Sequence, residues 1–202
     1  MNIGVLGGTF DPIHSGHLII AEKANEKFGF KRLLFVPAGQ PWMKADHEIT
    51  ATDHRVEMVR RAIAGKPGFE LSTVEIDRPG PSLSVDTVDV LHRQIGRKAE
   101  LYFIVGWDSL AGLSQWKEPK RLVKMCKLVA VNRPGFSRPH LKKLEPEIPG
   151  VLKSVIWLDI KPIDISSSEI RKRVEEGSSI HGMVPESVER YIKENNLYQK
   201  QI

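Results

Sequence analysis

The chain has one cysteine, Cys126, which excludes an internal disulfide framework and fits a reducing compartment. No apolar run approaches the ~20 residues needed to cross a bilayer. The first residues enter an apolar segment without a basic leader. These absences predict a protein of the cytoplasm with no membrane partner. Two common phosphate-binding signatures are missing as well. Gly4, Gly7 and Gly8 lack the third glycine of a G-x-G-x-x-G turn, and no G-x-x-x-x-G-K-[ST] run exists, which argues against a dinucleotide-binding dehydrogenase and a P-loop kinase. Repeats and low-complexity tracts are absent, and the Pro- and Lys-rich stretch 134–149 reads as a surface connection.

Charge of one sign is in only modest excess. Lys and Arg number 30 against 25 Asp and Glu, a formal net charge of +5. That balance suits anionic nucleotides but is too evenly scattered for a nucleic-acid footprint. The 202 residues fit one domain with a substantial core.

What is present concentrates in residues 7–18, Gly-Gly-Thr-Phe-Asp-Pro-Ile-His-Ser-Gly-His-Leu. An apolar run, Asn2–Leu6, predicts a buried strand, and Gly7 and Gly8 permit close backbone approach. From Ser15 and Gly16 the pattern turns helical, so the first N–H groups of a helix are expected to point back into the loop, where anions bind. His14 and His17 then share the first turn, and both rings can face one phosphate chain as donors. Spacing of this kind also occurs in metal sites, but Cys126 lies in another apolar segment and the other histidines are scattered. No structural metal is expected.

A second motif, Ile165-Ser-Ser-Ser-Glu-Ile-Arg171, has the S-x-x-E pattern of a helix cap from Ser166 to Glu169. Serine hydroxyls, the N–H groups of a helix start and the guanidinium of Arg171 one turn in can also hold a polyphosphate.

Alternating periodicities place strands near 2–6, 32–36, 69–75, 100–105, 127–132 and 154–158, with helices near 16–28, 52–64, 84–94 and 117–125 and a terminal helix from Pro185. This predicts an α/β fold, a doubly wound parallel sheet. The loops at Gly7, Pro37, Gly106 and Ser166 all fall beyond the carboxyl ends of strands, in one crevice.

The first motif resembles the nucleotide-binding loop of the nucleotidylyltransferase superfamily, and the second resembles that superfamily's Ile-Ser-Ser-Thr-x-x-Arg signature, with Ser168 at the threonine. Across nearly the whole length the chain resembles the bacterial nicotinate-nucleotide adenylyltransferase family. The resemblance implies a Rossmann-like nucleotidylyltransferase fold and transfer of AMP from ATP to nicotinate mononucleotide. His14, His17 and Arg171 fall at its catalytic positions. Gly7, Gly8, Thr9, Phe10, Lys44, Gly106, Asp108, Arg133, Ser166 and Ser167 match its ATP and phosphate contacts. Ser84, Asp86, Thr87 and Trp116 match its nicotinate mononucleotide pocket, where Leu83 replaces the usual tyrosine. Asp11 is expected to brace the loop, and Arg55 with Met58 follows an Arg-x-x-Met pattern of the family.

A monoester phosphate is already anionic at neutral pH, so no protein nucleophile is required. Mg2+ is expected with ATP, held mainly by phosphates and water, since no carboxylate cluster is evident. A nicotinamide mononucleotide, dual-specificity or phosphopantetheine enzyme of the same superfamily stays open, as does a nucleotide sensor. Oligomeric state is not legible.

Overall fold

The computed structural model describes residues 1–40 and 49–200. The Lys44 expectation, with Trp42, lies outside the described residues. Within them, six strands pair in parallel: β1 (Asn2–Gly8), β2 (Arg32–Pro37), β3 (Phe69–Leu71), β4 (Glu100–Gly106), β5 (Lys127–Val131) and β6 (Val155–Leu158). Their order is β3-β2-β1-β4-β5-β6. The apolar runs are near-continuous because both faces are covered. Ile3, Val5, Leu34, Val36, Leu101 and Phe103 face one core, while Leu6, Leu33, Phe35, Tyr102 and Ile104 face the other.

The helices are α1 (Ser15–Phe28), α2 (Thr52–Ile63), α3 (Ser84–Ile95), α4 (Trp107–Ala111), α5 (Pro119–Met125), α6 (Leu141–Leu144), α7 (Val151–Ser154), α8 (Ser167–Glu175) and α9 (Glu186–Glu194). Helices α3 and α5 cover the first core with Val85, Val88, Leu91 and Leu122. Helices α1, α2, α8 and α9 cover the second with Leu18, Met58, Ile170, Val188 and Ile192.

The architecture expected from periodicity is the one observed, with local differences that include the short helices α4 and α7. The third strand stops at Leu71 rather than reaching residue 75, because the N–H groups of Ile76 and Asp77 turn back to the Thr73 carbonyl and the Thr73 hydroxyl bonds Asp77. The helix expected from 117 starts at Pro119, whose fixed φ suits a first helical position. The 134–149 connection contains α6 and is pinned to the core by Leu141 and Ile148, both buried.

The chain winds outward from β1 through β2 to β3, then returns to place β4 against the other edge of β1. The carboxyl ends of β1 and β4 therefore form the switch point of the sheet, the place where such folds open a crevice.

Candidate active site

Strand β1 ends in Gly7 and Gly8, and the Gly8 carbonyl accepts the Ala38 N–H at 2.9 Å, which ties the loop to the end of β2. Phe10 has φ 51°, an uncommon conformation for a residue with a side chain. Its ring is 2% exposed and meets His17 edge-on at 5.0 Å and Phe35 at 6.2 Å. The buried Phe10 ring is thus the foundation under the backbone of Thr9 and Phe10.

Arg55 holds this loop from beneath. It is 2% exposed and donates to the carbonyls of Thr9 (2.9 Å), Ala38 (2.8 Å) and Thr50 (2.9 Å) and to the Thr52 hydroxyl. Three carbonyls from separate segments thus converge on one guanidinium, which can satisfy them at once because its donors form a rigid fork. Asp11 is buried beside it. Its Oδ1 accepts the Tyr198 hydroxyl at 2.7 Å and its Oδ2 accepts the Thr50 N–H at 3.3 Å. Asp11 braces the loop, as expected. Burial and the Asp11 carboxylate push the Tyr198 hydroxyl well above the usual phenol range, so it stays protonated and donates.

The free helix start expected at Ser15 and Gly16 is mostly occupied. The Ser15 N–H bonds the Met183 carbonyl, and the N–H groups of His17 and Leu18 turn to the His14 carbonyl. Hydrogen-bonding capacity at this end comes from side chains instead. The imidazoles of His14 and His17 stack with centroids 3.7 Å apart. His17 Nδ1 accepts the His14 N–H at 3.2 Å, which leaves the proton of the neutral ring on Nε2 and makes that atom a donor. His14 Nδ1 is buried without a hydrogen-bond partner among the described residues. A Cβ at position 16 would stand 2.9 Å from that atom, so the ring has room because Gly16 lacks one.

Burial, aided by the positive charge of Arg133, pushes His14 down to about 4. His14 is therefore a neutral hydrogen-bonding group at pH 7, able to act as a donor but not as a charge. The lowered value also makes a stability prediction. The folded state disfavours protonation, so the contribution is full above the ordinary histidine value of ~6.5 and is lost as pH falls toward ~4, about 3 kcal/mol at most. In urea denaturation the parent should lose more stability between neutral pH and pH ~4 than His14→Asn, by up to that amount. Equal losses would contradict the assignment.

Helix α8 approaches the loop from the other side. Ser166 caps it, its hydroxyl accepting the Glu169 N–H at 3.2 Å, and the N–H groups of Ser167 and Ser168 stand at the open first turn. The reciprocal half of the predicted box does not form, because Glu169 pairs with Arg173 at 2.9 Å. The Ser167 hydroxyl donates to the Pro12 carbonyl at 2.9 Å and Arg171 Nη1 to the Asp11 carbonyl at 2.7 Å. The second motif is thus bonded directly to the first.

Beyond β4, Asp108 Oδ2 accepts Arg133 Nη1 at 2.7 Å, while Asp108 Oδ1 is buried without a hydrogen-bond partner among the described residues. A Cβ at Gly106 would lie 2.3 Å from that Oδ1. Glycine there lets the carboxylate fold over the strand end.

The segment that resembled the acceptor pocket packs against the end of β2: the N–H groups of Gly39 and Gln40 bond the Ser82 hydroxyl. At the start of α3 the N–H groups of Asp86 and Thr87 both turn to the Leu83 carbonyl, so the donors left there are those of Ser84 and Val85. The Thr87 hydroxyl is fully buried and donates to Glu75 at 2.6 Å. Asp86 pairs with Arg78 at 3.0 Å and Lys117 at 3.5 Å. Trp116 lies next to Lys117, half-buried on the α3 core.

Sequence reasoning gave Arg55 no role beyond its pattern and missed Arg78, Ser82 and Tyr198. A signal for Arg55 existed, since it falls in register with the buried Met58, Val59 and Ala62 on one face of α2.

A model of the family described as "Cytidylyltransferase-like" matches residues 5–173. A Dehalococcoides mccartyi protein described as "Probable nicotinate-nucleotide adenylyltransferase" is 44% identical over 100% of this chain and 98% of its own. A Moorella thermoacetica protein of the same description is 40% identical over 99% of this chain and 93% of its own. The solved Plasmodium falciparum nicotinic acid mononucleotide adenylyltransferase complexed with NaAD superposes with a TM-score of 0.78 at 22% identity, over 98% of this chain and 97% of that one, and supports the fold. The chain belongs to the cytidylyltransferase-like family and, within it, to the nicotinate-nucleotide adenylyltransferases.

Proposed function

We propose that this protein transfers AMP from ATP to nicotinate mononucleotide, releasing pyrophosphate and forming deamido-NAD in NAD biosynthesis. The observation that carries the reading is the convergence of His14, His17, Arg171 and the open turn of α8 on one loop at the switch point of the sheet. In the reaction an oxygen of the acceptor phosphate bonds to the α-phosphorus. The bond from that phosphorus to the bridging oxygen breaks, and its electron pair leaves with pyrophosphate. The protein must hold two mutually repelling anions in line and stabilise charge on the leaving group.

His17 Nε2, the remaining donors of Arg171 and the Ser167 and Ser168 N–H groups supply that stabilisation. The Nδ1–H tautomer of neutral His14 adds a donor. Asp108 Oδ1, a buried acceptor, suits a ribose hydroxyl, and Arg133 beside it faces the adenosine side. Ser84, Val85 and Asp86 with Trp116 form the acceptor side, where the tryptophan face stacks on the pyridine ring; Thr87, expected among the acceptor contacts, is fully buried and instead braces the helix start through Glu75.

Mg2+ would accompany ATP and offset part of its phosphate charge. Among the described residues no three His, Cys, Asp or Glu side chains gather into a metal site, and the Asp11 oxygens are engaged by Tyr198 and Thr50. Phosphate and water oxygens would supply most of the ion's ligands. A cytoplasmic location for the reaction is part of the same proposal. No helix of the described residues is long and apolar enough to cross a membrane, and burial pushes the Cys126 thiol up to about 12, far from reactive thiolate chemistry.

With ATP labelled at the α-phosphorus, the label should pass into a dinucleotide only when nicotinate mononucleotide is present, while label at the γ position leaves in pyrophosphate. Label recovered in free AMP at the same rate with and without acceptor would refute transfer. Arg171→Ala should raise KM for ATP at least about tenfold, since a charge-assisted fork and the tie to Asp11 are both lost. An unchanged ATP affinity by calorimetry would limit Arg171 to a structural role.

A further inference from the structure

A cleft of about 660 Å³ opens at the amino ends of β4 and β5, between the last turns of α3 and α5. The seven residues of β4 separate it from the Gly106 loop by ~20 Å, so it is distinct from the active site. Arg97, Lys98 and Lys124 line it, and none of the three makes an ion pair with a described acidic residue. The acidic residues of the cleft are already engaged. Asp89 pairs with Arg121 at 3.2 Å and Glu100 accepts the Tyr102 hydroxyl at 3.1 Å.

Cations beside two helix C-termini are favourable in themselves. Here they also surround one cavity whose floor includes Val123, Met125 and Ala99. His92 on its wall adds an independent feature. Its Nε2 lies 2.8 Å from the Met125 carbonyl, which can only accept, so Nε2 carries the proton and Nδ1 of the neutral ring is an acceptor. That Nδ1 is buried without a hydrogen-bond partner among the described residues.

We propose that this cleft is a second, non-catalytic site for a phosphorylated nucleoside. Its phosphates would sit on Arg97, Lys98 and Lys124, its base against the apolar floor, and a ribose hydroxyl or base amino group would donate to His92 Nδ1. The cavity is within the ~300–1,000 Å³ range of small-molecule sites. A bare polyphosphate offers no donor to Nδ1 and no apolar face to the floor, so a nucleotide is the better match.

The test uses methyl-labelled methionine NMR on the whole protein. Met125 reports the cleft, and Met58, buried with its sulfur 4.0 Å from the Tyr198 hydroxyl, reports the nucleotide loop. Titration with ADP should shift both resonances along separate saturation curves. The triple variant Arg97→Ala, Lys98→Ala, Lys124→Ala should weaken the Met125 curve at least about tenfold and leave the Met58 curve and basal transfer unchanged. Adenosine or tripolyphosphate should bind the cleft more weakly than ADP. A Met125 resonance that does not respond to ADP, a response that survives the triple substitution, or equal binding of tripolyphosphate would overturn the proposal. Because Met58 and basal transfer are read separately, failure here is distinguishable from failure of the catalytic reading.

Discussion

His17→Ala should reduce kcat by ~100-fold or more, while leaving KM for the acceptor within a few-fold of the parent. The position of the His17 proton decides this effect. Nδ1 accepts the His14 N–H at 3.2 Å, so the ring is oriented by the backbone of the loop it serves and presents Nε2–H as a donor. A donor fixed in advance stabilises charge that grows on the departing pyrophosphate without reorganising, so its loss weighs on the transition state more than on ground-state binding. His17→Gln retains a donor and should recover part of the rate. A kcat within about threefold of the parent for His17→Ala would remove the histidine from the chemistry.

The layer order of the fold was legible because the parallel strands are apolar on both faces and the helices between them keep a 3.6 period. Local hydrogen bonds that reroute the backbone were not legible. Strand β3 ends early through the Thr73 turn, and the short helices α4, α6 and α7 carry too few residues for a periodic signal. In the site, residues of the two motifs could be named from the chain, but not how the motifs engage one another. Ser167 and Arg171 are bonded to the carbonyls of Pro12 and Asp11, so part of what reads as phosphate-binding capacity is the joint between two loops. Tyr198 had no signal at all, since its partner Asp11 lies 187 positions away in sequence. The charge state of His14 was beyond spacing for a different reason: burial decides it, and burial is a property of the fold.

Selectivity between acceptors is the second large effect expected. Nicotinate and nicotinamide mononucleotides differ only by carboxylate against carboxamide. The start of α3 presents the Ser84 and Val85 N–H groups, the positive end of the helix, and two cations, Arg78 and Lys117, against the single carboxylate of Asp86. A carboxylate accepts from every such donor. An amide would turn its NH₂ toward other N–H groups, and an unpaired group of that kind can lower kcat/KM by ~10³-fold or more. Trp116 stacking would hold either ring alike and so distinguish neither.

The most direct test is kcat/KM for the two mononucleotides, measured with the same ATP and Mg2+ by pyrophosphate release. Turnover is expected with the nicotinate form, with a preference over the amide of ~10³-fold. Equal values, a preference for the amide, or no pyrophosphate release with the nicotinate form would contradict it.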